Sequence, residues 1–174
     1  EYSVVIRNRE TLRRLIVEKA KVFPRDDCRG FVYFPLWKGN FFRDISSRLK
    51  AYVAGVLGND DERFWDSLFK GKRLYYVHER PLVLGDYGFI GLSGCPDTYK
   101  PLGYTFYEED AAYRHLENLY DKALNEGARY IVVVSHAPPY GVLDYSIRFS
   151  KTNIGSKALR EFIENHEKVV LVIC

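Results

Sequence analysis

Apolar positions along the chain follow two spacings, and the spacing separates helices from strands. Over residues 8–21, Leu12, Leu15, Ile16 and Val17 sit among charges behind Asn8, the pattern of a capped amphipathic helix. Residues 30–42 are aromatic and broken by Pro35 and Gly39, which reads as an extended segment or insertion. A short helix over 43–50 leads into 52–57, an apolar run stopped by Gly58 that reads as a buried strand. Asp61-Glu62-Arg63 then opens a helix, because acidic side chains in a first turn suit the helix dipole.

From residue 73 to 93 the pattern changes to short strand-like runs, RLYYV, PLVLG and GFIGLSG. Residues 78–80 and Gly85-Asp86-Tyr87 separate them, which predicts antiparallel strand pairs joined by turns. Residues 94–107, with two prolines and two glycines, read as a loop. Residues 107–126 form the longest expected helix, with Leu116, Leu119, Ala123 and Leu124 on one side and Gly127 as its stop. A buried strand over 129–134 and a long loop over 135–152 follow. Ser156 caps a helix running to about His166, and 168–173 is the last strand. Strand–helix alternation at both ends of an antiparallel middle predicts an α/β fold, layered around a mixed sheet.

Composition narrows the class. At 174 residues and 47% hydrophobic, the chain is one domain's worth, expected to bury around 70% of its unfolded surface. A net charge of +3 is too small to imply nucleic acid or an acidic membrane. No apolar run approaches the ~20 residues of a membrane span, and the N-terminus lacks a secretory pattern. Cys28, Cys95 and Cys174 are odd in number and widely spaced, which fits a reducing cytoplasm rather than a disulfide scaffold or zinc ribbon. The absence of Met and Gln leans towards a thermophile. With no initiator Met and an apolar end, KVVLVIC, the single domain over 1–174 is expected to be truncated at both ends.

Two strand ends carry unusual polar groups, Gly58-Asn59-Asp60-Asp61-Glu62 and Ser135-His136-Ala137-Pro138-Pro139. Layered α/β proteins bind ligands beyond the carboxyl ends of strands, where such loops converge. Asn59 offers an amide oxygen, Asp60 a carboxylate and His136 an imidazole nitrogen, a mixed set suited to Mn, Fe or Zn. Each segment also has a plainer reading. GNDDE is equally a glycine turn with a helix cap, and His136 a hydrogen-bonded histidine at a strand end. His78 in a turn, His115 among helix charges and His166 at a helix C-terminus read as structural or surface groups.

Read together and in order, GNDDE and SHAPPYGVLD resemble the calcineurin-like metallophosphoesterases. That family carries five blocks: D-x-H, G-D, G-N-H-[ED], a strand ending in His, and G-H-x-H. Gly58-Asn59-Asp60-Asp61 is similar to the third and the strand ending at His136 to the fourth. VHERPLVLGDYGFIGLSG and NIGSKALREFIENHEKVVLVIC are similar to a prokaryotic branch, so the likeness runs from about Tyr52 to Cys174. It implies a layered α/β/β/α sandwich with mixed sheets, and hydrolysis of a phosphodiester or phosphomonoester through a two-metal-bound hydroxide. Asn59 and His136 then match ligands of the second of two divalent metal ions, Mn, Fe or Zn, and Asp61 the closing acid. Asp60 stands at the catalytic position where the family usually has histidine. D-x-H and G-D are expected upstream of Glu1, and G-H-x-H downstream of Cys174. The implied partner is a phosphate-ester substrate, with specificity in loops such as 94–107 and 140–152. The alternative is a non-catalytic binding or scaffold protein on a degenerate version of the fold. A nucleic-acid binder, suggested by basic helices and abundant Tyr, has no binding motif behind it.

Overall fold

The computed structural model describes residues 21–23, 31–33, 52–59, 73–97, 105–147 and 151–174. The helix expected over 8–21 lies outside the described residues except for Lys21, and those expected over 43–50 and from Asp61 lie outside them, as do Asp60 and Asp61. Lys21, expected to end the first helix, instead opens strand β1 (Lys21–Phe23), which pairs antiparallel with β2 (Phe31–Tyr33).

The fold is mixed α/β. Its main sheet contains β5 (Leu82–Leu84), β6 (Tyr87–Leu92), β9 (Tyr130–Ser135) and β12 (Val169–Ile173), in the order β12-β9-β6-β5. The hairpin between β5 and β6 is antiparallel, as its Gly85-Asp86 turn predicts, whereas β6–β9 and β9–β12 are parallel. Each parallel step is bridged by a helix: α1 (Glu109–Asn125) between β6 and β9, and α2 (Lys157–Asn165) between β9 and β12. A parallel pair needs a crossover of this kind, because the chain must return to the starting edge.

One expectation fails in the middle of the chain. β4 (Leu74–Tyr76) pairs parallel with β3 (Val53–Gly55) in a sheet of its own, not antiparallel with β5. Residues 78–80 therefore pass from one sheet to the other rather than turn a hairpin. The expected loop over 94–107 contains a short parallel pair, β7 (Cys95–Pro96) with β8 (Phe106–Tyr107). Likewise, the loop after β9 contains the antiparallel pair β10 (Tyr145–Ser146) and β11 (Thr152–Asn153).

Both helices follow their sequence signals. Ala112, Leu116, Leu119 and Ala123 fall three or four apart and form the buried stripe of α1. Gly127, at φ +98°, takes the left-handed conformation that ends it. Ser156 caps α2 by accepting from the Leu159 N–H at 3.1 Å. The same hydroxyl donates to Glu109 of α1 at 2.8 Å, and Glu109 also accepts from the N–H groups of Lys157 and Ala158 at 2.9 and 3.0 Å. These helices cover one face of the sheet, where Leu116, Leu119, Leu159 and Phe162 close over Ile90, Leu92, Ile131 and Val133. Each such side chain contributes about 1.5–3 kcal/mol by leaving water.

β6 is closely packed on both faces. A Cβ added at Gly88 would lie 2.9 Å from the Cβ atoms of Ala123 and Ala128 on the helix side. One added at Gly91 would lie 2.6 Å from Val56 Cγ1 and 2.8 Å from Val77 Cγ2, on residues flanking β3 and β4. Among the described residues no helix is long and apolar enough to cross a membrane. Gly91→Ala is expected to cost about 1–3 kcal/mol by overpacking. Urea denaturation would read this as a lower midpoint at unchanged slope, and an unchanged midpoint would mean that the contact with Val56 and Val77 is loose.

Candidate functional site

β6 and β9 run parallel, so their carboxyl ends share one edge, with Leu92 in register with Ser135. The His136 N–H donates to the Leu92 carbonyl at 3.2 Å and carries that ladder one residue further. The chain leaving β3 reaches the same edge, where Leu57 donates to Ser93 Oγ at 3.0 Å and accepts from Gly94 N–H at 2.8 Å. Two residues on, the Asn59 carbonyl accepts from Thr105 N–H at 3.2 Å.

This convergence brings together two of the three residues singled out in the sequence. His136 Nε2 lies 2.7 Å from Asn59 Oδ1, across 77 residues of chain. Both side chains are half-buried. As an N–H···O contact this is a short, well-formed hydrogen bond with the imidazole donating. The third residue, Asp60, is the next in sequence after Asn59 and lies outside the described residues. Among the described residues, no three His, Cys, Asp or Glu side chains group as metal ligands.

The chain beyond His136 is tightly held. Ser135 Oγ donates to the Ala137 carbonyl at 2.7 Å and closes the first turn. Pro138 accepts from Ser156 N–H at 2.8 Å, and Tyr140 N–H donates to the Ser156 carbonyl at 2.9 Å. The two prolines expected to stiffen this stretch are thus also pinned to the start of α2. Asp144, 4% exposed, fixes the rest of the loop. Its Oδ2 accepts from Gly141 and Gly155 N–H at 3.0 and 2.9 Å, and its Oδ1 accepts from the Asn153 amide. Burial alone would raise its pKa, but these donors outweigh it and hold the carboxyl below its ordinary value. The turn that results puts Leu143 at φ +54° and leaves its side chain in water.

His78, expected in a turn, is found in one, but its ring is used. Nδ1 lies 3.3 Å from both the Ser93 N–H and the Gly91 carbonyl, filling the edge of β6 beyond its pairing with β5. Of the structural and surface roles open to it, His115 takes the structural one. It is half-buried and stacks on His78 with ring centroids 4.1 Å apart. Burial lowers its pKa, with Lys122 adding to the effect and the backbone of His78 and Gly91 opposing it. His166, at the C-terminus of α2, contacts the Phe162 carbonyl at 2.8 Å through Nδ1 and Glu117 at 3.1 Å through Nε2. Sequence reasoning passed over Ser93 and Asp144. The signal for Ser93 was a hydroxyl at the end of an apolar strand, and for Asp144 an acid among apolar loop residues.

No family model matches the chain, and no curated protein matches it either. A solved crystal structure is similar in fold, with a TM-score of 0.57 and 19% identity, covering 78% of this chain and 55% of that one. The chain thus spans about half the length of that structure, and at this identity the likeness is one of fold alone.

Asp144 sets a pH dependence for the loop. Its folded pKa is depressed, so its contribution is present above the unfolded value near 4 and is lost as pH falls through the folded one. Asp144→Asn gives up an acceptor to backbone N–H groups and is expected to cost about 1.5–3 kcal/mol at pH 7. In chemical denaturation the gap between the two proteins should narrow below about pH 4. A gap constant from pH 7 to 3 would contradict this role.

Proposed function

We propose that the chain carries part of the centre of a metal-dependent phosphoesterase that hydrolyses a phosphodiester or phosphomonoester. The observation that carries this reading is the 2.7 Å approach of Asn59 Oδ1 to His136 Nε2, at the edge where the ends of two strands meet. It joins the two segments whose order resembles the calcineurin-like metallophosphoesterases. An amide oxygen and an imidazole nitrogen held side by side are donors that would suit a divalent ion. Helices on one face of the main sheet and the β3–β4 pair against the other suit the α/β/β/α sandwich of that family.

Asn59 and His136 would hold one of two divalent ions, of Mn, Fe or Zn, with the other ligands coming from blocks such as D-x-H and G-H-x-H, which this sequence does not contain. Such a pair, when bound, activates water and neutralises charge on the phosphoryl oxygens. The chain's own contributions are distinct. Asn59 supplies an oxygen without negative charge, so it does not repel an anionic ester. His136 ligates through Nε2 only when that nitrogen is deprotonated, so the proton now facing Asn59 must leave or move to Nδ1. Asp60 is the residue assigned to the leaving group's proton. A carboxyl with an ordinary pKa near 4 is ionised at neutral pH and performs that step only where its surroundings raise the value.

A second reading, a non-catalytic binding or scaffold protein, is favoured by Asp60 standing where the resembled family has histidine. Metal content separates the two: two tightly held ions per chain would exclude the scaffold. In full-length protein with Mn²⁺ and a chromogenic phosphodiester, Asn59→Ala and His136→Ala are each expected to lower kcat/KM by more than the roughly 10–100-fold typical of outer-shell partners. Undiminished turnover in both variants would remove the site assignment.

A further inference from the structure

We infer that Ser93 is a positioning residue, which sets Asn59 against His136 by tying the chain after β3 to the end of β6. Ser93 is 2% exposed, and its hydroxyl and N–H groups serve three different parts of the chain. Oγ accepts from Leu57 N–H at 3.0 Å and lies 2.9 Å from the Tyr76 hydroxyl. Its N–H donates to His78 Nδ1 at 3.3 Å. Leu57 is itself buried, so its N–H has no water to turn to once Oγ is removed.

Both halves of the site are fixed to residues 92–94. Leu92 receives the His136 N–H, while Ser93 and Gly94 grip the N–H and carbonyl of Leu57. Thr105, whose N–H holds the Asn59 carbonyl, presses on Gly94: an added Cβ there would lie 2.4 Å from the Thr105 oxygen. His136 hangs from β6 by a backbone bond that no substitution removes. The chain leading to Asn59 is held by backbone groups of Gly94 and Thr105 and, at Leu57, by a side chain that a substitution can remove, Ser93.

The inference concerns the same pair as the proposed phosphoesterase but is tested first without metal. In ¹⁵N spectra of the metal-free protein, Ser93→Ala is expected to move the His136 ring-nitrogen signals towards those of Asn59→Ala. Val77→Ala, a cavity in the same seam with Leu57 and Ser93 intact, is expected to lower Tm while leaving those signals at wild-type positions. In full-length protein, Ser93→Ala should also weaken Mn²⁺ binding by roughly 10–100-fold, the range found for groups that orient a metal ligand. Unmoved His136 signals in Ser93→Ala, or an equal movement in Val77→Ala, would overturn the positioning role. Should Ser93→Ala fail to fold, Ser93→Cys replaces it, keeping the shape with a weaker acceptor, and is read the same way. Full-length wild-type protein, with the D-x-H and G-H-x-H blocks in place, that binds no Mn²⁺ would overturn the phosphoesterase reading and leave the metal-free result standing.

Discussion

Two positions without side chains in one strand govern the rest of this structure. Gly88 and Gly91 face opposite sides of β6, and on each side the neighbouring layer closes to a distance that a methyl group would block. On one side this seats α1 and the apolar core. On the other it brings Val56, Val77 and the His78 backbone against the strand, so the β3–β4 pair ends level with β6. A wider spacing would leave Leu57 out of reach of Ser93 and Asn59 out of reach of His136.

The chemistry at that edge follows from how it is built. Asn59 and His136 arrive from different strands and meet through an amide oxygen and an imidazole nitrogen, while the loop beyond His136 is secured separately through Asp144 and the start of α2. The charged anchor, Asp144, satisfies donors of its own loop. The pair itself is an amide set against an imidazole, apart from that anchor.

What the sequence made legible was what it encodes locally. The apolar stripe of α1, the Gly127 stop, the Ser156 cap and the β5–β6 turn each need only a few adjacent residues, and each is found. The partner of β4 was not legible, because a three-residue strand carries no mark of which strand it will join, or in which direction. His115 illustrates a subtler loss. It stands three residues after Ala112 and four before Leu119, on the margin of the buried stripe, and the charges beside it left a structural and a surface role both open. The approach of Asn59 to His136 spans 77 residues and has no local signature. The convergence of loops at strand ends suggested it, and the order of motifs resembling a known family pointed to the pair.

Glu109 carries one more implication. The carboxylate that satisfies the N–H groups of Lys157 and Ala158 belongs to α1, so the capping of α2 is only partly local, with Ser156 serving Leu159. A helix of nine residues is too short to persist in water unaided. α2 should therefore consolidate only after α1 is in place, and its first turn should open to solvent exchange together with α1 rather than by fraying on its own. The order in which the two crossovers form is thus written into a single acidic side chain at the start of the earlier one.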